Sequence, residues 1–102
     1  MLIVFTTCGS VDEADRLAKE AVSRKLAGCV QILPAVKSVY EWEGKIESDE
    51  ECLLLIKTDA EHYPKLEEFI NTEHSYETPE IAAVSASRVS DKYNKWLKEV
   101  LG

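Results

Sequence analysis

Lys25-Leu26-Ala27-Gly28-Cys29-Val30-Gln31-Ile32-Leu33-Pro34, followed after three residues by Ser38-Val39-Tyr40-Glu41-Trp42-Glu43-Gly44-Lys45-Ile46-Glu47, decides the fold of this chain. Arg24 and Lys25 favour the negative end of a helix, and Gly28 suits its stop. Cys29 to Leu33 reads as an apolar strand. Pro34 cannot donate to a ladder, so a bulge or bend is expected there. Beyond it Val36, Ser38, Tyr40 and Trp42 alternate with Lys37, Val39 and Glu41, placing the two sets on opposite faces. Glu43-Gly44 is the length of a two-residue hairpin turn, with Gly supplying a positive φ. Lys45 to Ile56 returns as the partner strand, polar at first and strongly apolar from Cys52 to Ile56. The hairpin tip therefore projects beyond the core.

Outward from this hairpin the remaining elements follow from periodicity and caps. Leu2 to Thr6 is a short apolar run of β-formers, ended by Cys8-Gly9-Ser10. Ser10 and Glu13 have the spacing of a capping box, and Ala14, Leu17, Ala18, Ala21, Val22 and Leu26 make a helical stripe. Thr58 and Glu61 repeat the capping spacing, Pro64 is tolerated in a first turn, and Leu66, Phe69 and Ile70 share one face of a second helix. Glu80 to Val89 reads as a fourth strand. Ser90 caps a last helix whose Tyr93, Trp96, Leu97 and Val100 lie together. The order is β-α-β-β-α-β plus a terminal helix. This predicts an α+β class, ferredoxin-like antiparallel sheet with an extended hairpin and a C-terminal helix, in a single domain over residues 1–102.

Such a sheet has one face left to cover, and the terminal helix carries too little apolar surface for all of it. Tyr40, Trp42 and Ile46 stand where a monomer would leave them wet, which marks an interface. Composition narrows the partners. The chain has 102 residues, 45% of them apolar and 30% charged, with a formal charge of −7. An acidic chain lacks the basic footprint needed for nucleic acid or anionic membranes, so neither is expected as a partner, and small cations are easier. No run approaches a membrane span. The N-terminus lacks a basic leader and a small-residue cleavage site, so a cytoplasmic location is expected. Cys8, Cys29 and Cys52 fit neither a disulfide scaffold nor a zinc half-site and are read as thiols, two of them buried in strands.

KLAGCV at residues 25–30, the Tyr40-x-Trp42-x-Gly44-Lys45-Ile46-Glu47 hairpin, Leu55-Ile56-Lys57-Thr58 and His74-Ser75-Tyr76-Glu77-Thr78-Pro79-Glu80-Ile81 together resemble the CutA family of divalent-cation tolerance proteins, over Thr6 to Leu97. The chain departs from the family where Ser75 replaces a usual proline, and where Arg88-Val89-Ser90-Asp91 replaces a usual glycine before the last helix. The resemblance implies a homotrimer assembled through long hairpins and a non-enzymatic role in copper or other divalent-cation tolerance. It also implies copper ligands at the positions of Thr6, Glu73 and His74, of which only His74 keeps a ligand type.

His74 is therefore the candidate metal ligand, for Cu(II) or another divalent cation, with Glu73, Glu77 and Glu80 as nearby oxygens; the plain alternative is a loop histidine at a helix end. No cofactor is required by any motif. Tyr40, Trp42, Glu43, Lys45, Glu47, Lys57, Tyr76 and Glu80 are the other motif positions, lining an intersubunit cleft or anchoring an interface. A cleft holding an anionic ligand beside Lys57 would make the protein a small-molecule sensor, by analogy with trimeric signalling proteins of the nitrogen-regulatory PII group. An enzyme is not expected, because no nucleophile, base and orienter form a recognisable set. Cys29 and Cys52 read as packed strand residues, and Asp49-Glu50-Glu51 as a solvated hairpin edge.

Overall fold

In the computed structural model, which describes residues 1–102, β1 (Leu2–Cys8) alternates between fully buried Val4, Thr6 and Cys8 and half-buried Ile3, Phe5 and Thr7. That alternation defines the two faces of the sheet. α1 (Val11–Ser23) follows, then β2 (Cys29–Trp42), β3 (Lys45–Thr58), α2 (Tyr63–Glu73), β4 (Ala82–Ser85) and α3 (Asp91–Leu101). The strands lie in the order β2-β3-β1-β4 with every pair antiparallel, the ferredoxin-like arrangement expected from the sequence.

One sheet face carries the core. Val4 and Cys8 of β1, with Cys52, Leu54 and Ile56 of β3, pack against Ala14, Leu17 and Ala21 of α1 and Leu66, Phe69 and Ile70 of α2. Burying a side chain such as Leu54, Leu66 or Ile70 contributes roughly 1.5–3 kcal/mol. The other face presents Ile3, Phe5, Leu53 and Leu55, all half-buried, and the more exposed Leu33 and Val84. α3 closes the end of the molecule near Gly28, burying Leu97 and Leu101.

Pro34 does produce the expected irregularity, and its consequence is larger than a bend. Leu33 pairs with Leu53 and Val36 with Glu51, so Pro34 and Ala35 are looped out of the ladder. Cross-strand partners share a face, and residues 51 and 53 are two apart. The bulge therefore resets parity: odd residues of β2 face outward before it, and Val36, Ser38, Tyr40 and Trp42 do so after it. The uncovered face of the sheet thus continues unbroken to the hairpin tip. There Glu43 and Gly44 both take positive φ, 50° and 78°, the geometry of a tight turn matched to twisted strands. The projecting hairpin gives the molecule its 45 × 25 × 22 Å extents.

Several local expectations are corrected. β1 runs on to Cys8, because β3 continues to pair with it as far as Cys52. β4 is only Ala82–Ser85, because β1 offers partners from Leu2 to Phe5 and the last bond is from Ala86 N–H to Met1 O. Gly28 does not stop α1. Lys25 takes the left-handed conformation instead, at φ 58°, while Gly28 is required by close packing: a Cβ there would lie 2.4 Å from Leu97 Cδ1. Thr58 does not cap α2; its hydroxyl donates to Leu26 O at 2.7 Å in the core. Ser10 and Ser90 do cap α1 and α3, accepting from the N–H groups of Glu13 and Tyr93.

Candidate functional site

At the end of α2 the chain leaves the helix through His74, whose backbone extends at ψ 144°. This turns the imidazole inward over the end of β1. Its side chain is fully enclosed, with Nε2 2.7 Å from Thr7 O and Nδ1 3.0 Å from the Tyr76 amide nitrogen. A carbonyl can only accept and an amide N–H can only donate. The ring is therefore neutral, with Nε2 carrying the proton and Nδ1 accepting. Both nitrogens are occupied by the chain itself.

Around this ring a polar knot closes. Glu13 accepts from the Ser75 amide and hydroxyl, both at 2.9 Å, and places Oε2 3.7 Å from His74 Nδ1. It is thus diverted from the reciprocal half of the capping box. Burial pulls its carboxyl upward, but the two Ser75 bonds, together with nearby His74 and Arg16, hold it below the usual carboxylate range. Tyr76 lies against His74, ring centroids 4.8 Å apart, and donates its hydroxyl to Glu51 Oε2 at 2.7 Å. Burial and the Glu51 carboxylate raise the Tyr76 phenol far above its ordinary value. Glu51 is buried, which corrects the reading of Asp49-Glu50-Glu51 as uniformly solvated.

Cys8 and Cys52 are buried cross-strand partners, and Cys29 is half-buried. Burial pushes the Cys8 thiol up to about 11, so it is a protonated packing group at neutral pH. Thr6, where the family resemblance sets a ligand, is fully buried and its hydroxyl has no hydrogen-bond partner.

Of the residues singled out from the sequence, the chain brings His74 and Tyr76 together. The rest are scattered over the hairpin, the end of β3, α2 and the loop before β4. Tyr40 donates to Asp49 and stands opposite Glu47; Trp42 pairs across the strand with Lys45, and Glu43 sits in the turn. Lys57, near the far end of β3, donates to Gln31. Glu73 is bound to Arg16 through a 3.6 Å ion pair, while Glu77 and Glu80 are exposed in the loop before β4. Glu13 and Glu51 are the partners that sequence reasoning missed. Only the capping-box spacing of Glu13 was visible, and it pointed to a different role.

A ferredoxin-like sheet with a long projecting hairpin and a histidine knot at the end of α2 defines a small α+β protein, and comparison with known proteins places it in a family. The profile of the family described as CutA1 divalent ion tolerance protein matches residues 2–100, and the chain belongs to that family. It is 44% identical over 95% of its length to the chloroplastic Protein CutA of Arabidopsis thaliana, covering 53% of that protein. It is 39% identical to the divalent-cation tolerance protein CutA of Thermus thermophilus, covering 98% of this chain and 97% of that one. The chain therefore spans about half the length of its plant relative, and of the mammalian ones, but nearly all of a bacterial one. The solved CutA structure from Xylella fastidiosa superposes with a TM-score of 0.97 at 35% identity, over 99% of this chain and 97% of that one.

Proposed function

We propose that this protein is a non-enzymatic, cytoplasmic homotrimer that contributes to divalent-cation tolerance, copper included, through weak cation binding. The observation that carries the assembly is the continuous outward face: Phe5, Leu53 and Leu33 on the sheet lead past the bulge to Tyr40 and Trp42, with Trp42 63% exposed. Apolar surface of that extent is the signature of a subunit contact. Family membership supports the tolerance role, since relatives such as the Thermus thermophilus protein bear that description.

For copper at His74, the geometry supports one arrangement. The cation would take the Nδ1 lone pair now used by the Tyr76 amide, with Glu13, 3.7 Å away, as the oxygen donor. Exchanging a hydrogen bond for each metal bond keeps the expected affinity modest, in the micromolar class or about −8 kcal/mol. Lys57 is bonded to Gln31, so the anionic-ligand reading gains no specific support. Light scattering at micromolar concentration should give the mass of three chains, and a stable monomer would refute the assembly. Calorimetry with Cu(II) should show weaker binding for His74→Ala than for the wild type; equal binding removes His74 from the role.

A further inference from the structure

Beyond the end of β3, the segment Asp59-Ala60-Glu61-His62 turns the chain into α2. Asp59 Oδ1 accepts the His62 backbone N–H at 2.9 Å and lies 2.6 Å from the ring nitrogen Nδ1. His62 occupies the N-cap position, yet its backbone is helical (φ −89°, ψ −14°) and its side chain makes no capping bond. The imidazole thus takes no part in capping and is held by Asp59 instead. Glu61 adds a second carboxylate, and one donor atom from each of the three residues falls within 4.8 Å of the others. The Asp59 and His62 side chains are largely enclosed, at 28% and 18% exposure, whereas Glu61 is open to solvent. Two donors are fixed in place and the third is a free arm.

A His-Asp contact alone explains the first pair, but it leaves Glu61 as a second negative charge beside a partly enclosed carboxylate. We propose that Asp59, Glu61 and His62 form a binding site for a divalent transition cation, zinc or copper(II) in class, separate from His74. An imidazole nitrogen with two carboxylate oxygens suits these ions, and water completes the coordination. Magnesium and calcium are disfavoured, because these hard cations prefer oxygen donors throughout and gain little from an imidazole nitrogen. The step is a tautomer exchange: the imidazole proton sits on Nε2 when the cation takes the Nδ1 lone pair, and the Asp59 oxygen relieved of the ring N–H turns to the metal. Glu61 swings inward to bring its oxygen to the roughly 2.0–2.2 Å of a metal bond. The two carboxylates neutralise the cation, offsetting the unfavourable positive end of α2.

This site stands independently of the proposed tolerance role and of His74. The chain has only two histidines, so their ring nitrogens can be followed separately by NMR during a Zn(II) titration. The His62 ring resonances should move at micromolar to tens-of-micromolar Zn(II). His62→Ala should weaken zinc binding at least tenfold, Glu61→Gln, an exposed change that spares the fold, by severalfold, and His74→Ala should leave the His62 response unchanged. The proposal is overturned if Zn(II) up to about 1 mM leaves the His62 ring unmoved, or if His62→Ala binds zinc as the wild type does. Movement of His74 alone would also overturn it while leaving the earlier reading intact.

Discussion

From Cys52 to Thr58, every second residue of β3 is buried beneath α1 and α2; from Lys45 to Glu50, no residue of the same strand is buried. Both stretches pair with β2, but residues 52 to 58 also pair with β1 along their other edge, so the far stretch has only one edge of its backbone ladder satisfied. Hydrogen bonding already separates the two halves, two satisfied edges against one. The burial of side chains separates them further, and an uncovered two-stranded ribbon is marginal in water. The near half is completed by its own helices, and the far half, carrying Val39, Tyr40, Trp42 and Ile46, is left exposed within the chain, to be covered by other copies in the proposed assembly.

The largest expected effect tests the near half. Leu54 is fully buried at the centre of the core, and Leu54→Ala should cost about 2–5 kcal/mol by urea denaturation. A loss below about 1 kcal/mol would mean that the core does not hold this half. Trp42→Ala comes next. In an isolated chain so exposed a residue would be worth little, but as an interface anchor its removal should weaken assembly by roughly 2 kcal/mol or more, read as a dissociation constant by sedimentation. An unchanged constant would break the comparison, leaving the far half as a free arm.

Gly28→Ala sharpens it from the other end of β2. The new methyl would collide with Leu97 Cδ1 at 2.4 Å and crowd Val100 Cγ2 at 3.1 Å, so α3 must shift or its side chains change rotamer. Overpacking of this kind should cost about 1–3 kcal/mol in thermal or urea unfolding, with the hairpin unaffected. A neutral result would show that α3 yields freely and contributes little to closing the near half.

Sequence patterns reached the far half more easily than the knot at the near one. Tyr40 and Trp42 alternate visibly, Glu43-Gly44 announces its turn, and Pro34 announces its bulge, because each of these signals is local. Glu51 was hidden in an acidic run, since its burial depends on Tyr76 arriving from 25 residues away. Thr58 shows the same limit. Its spacing from Glu61 satisfies a local capping rule, but Leu26 O, 32 residues earlier, competes for the hydroxyl and wins. His74 was legible as a special residue through its motif. Its partners, Thr7 and Glu13, follow only from the packing of β1 and α1 against the end of α2.

The smallest expected effect is a pH dependence that belongs to the near half alone. Glu13 has its carboxyl below the ordinary 4.5 because Ser75 binds its charged form twice, despite the upward pull of burial. A carboxylate depressed in the folded state contributes stability that is present above its unfolded value and is lost as pH falls through the folded one. Asp59 acts in the same direction, its burial outweighed by hydrogen bonds from the His62 ring and backbone. Glu13→Gln cannot accept from both Ser75 donors with full charge, so it should lower stability near neutral pH by about 1 kcal/mol. It should also flatten the acid limb below about pH 4.5, leaving the part due to Asp59. Urea midpoints for both proteins from pH 7 to pH 3 measure this directly. Parallel curves would show that the Glu13-Ser75 bonds contribute nothing net, and that the His74 knot is held by Thr7 and Tyr76 alone.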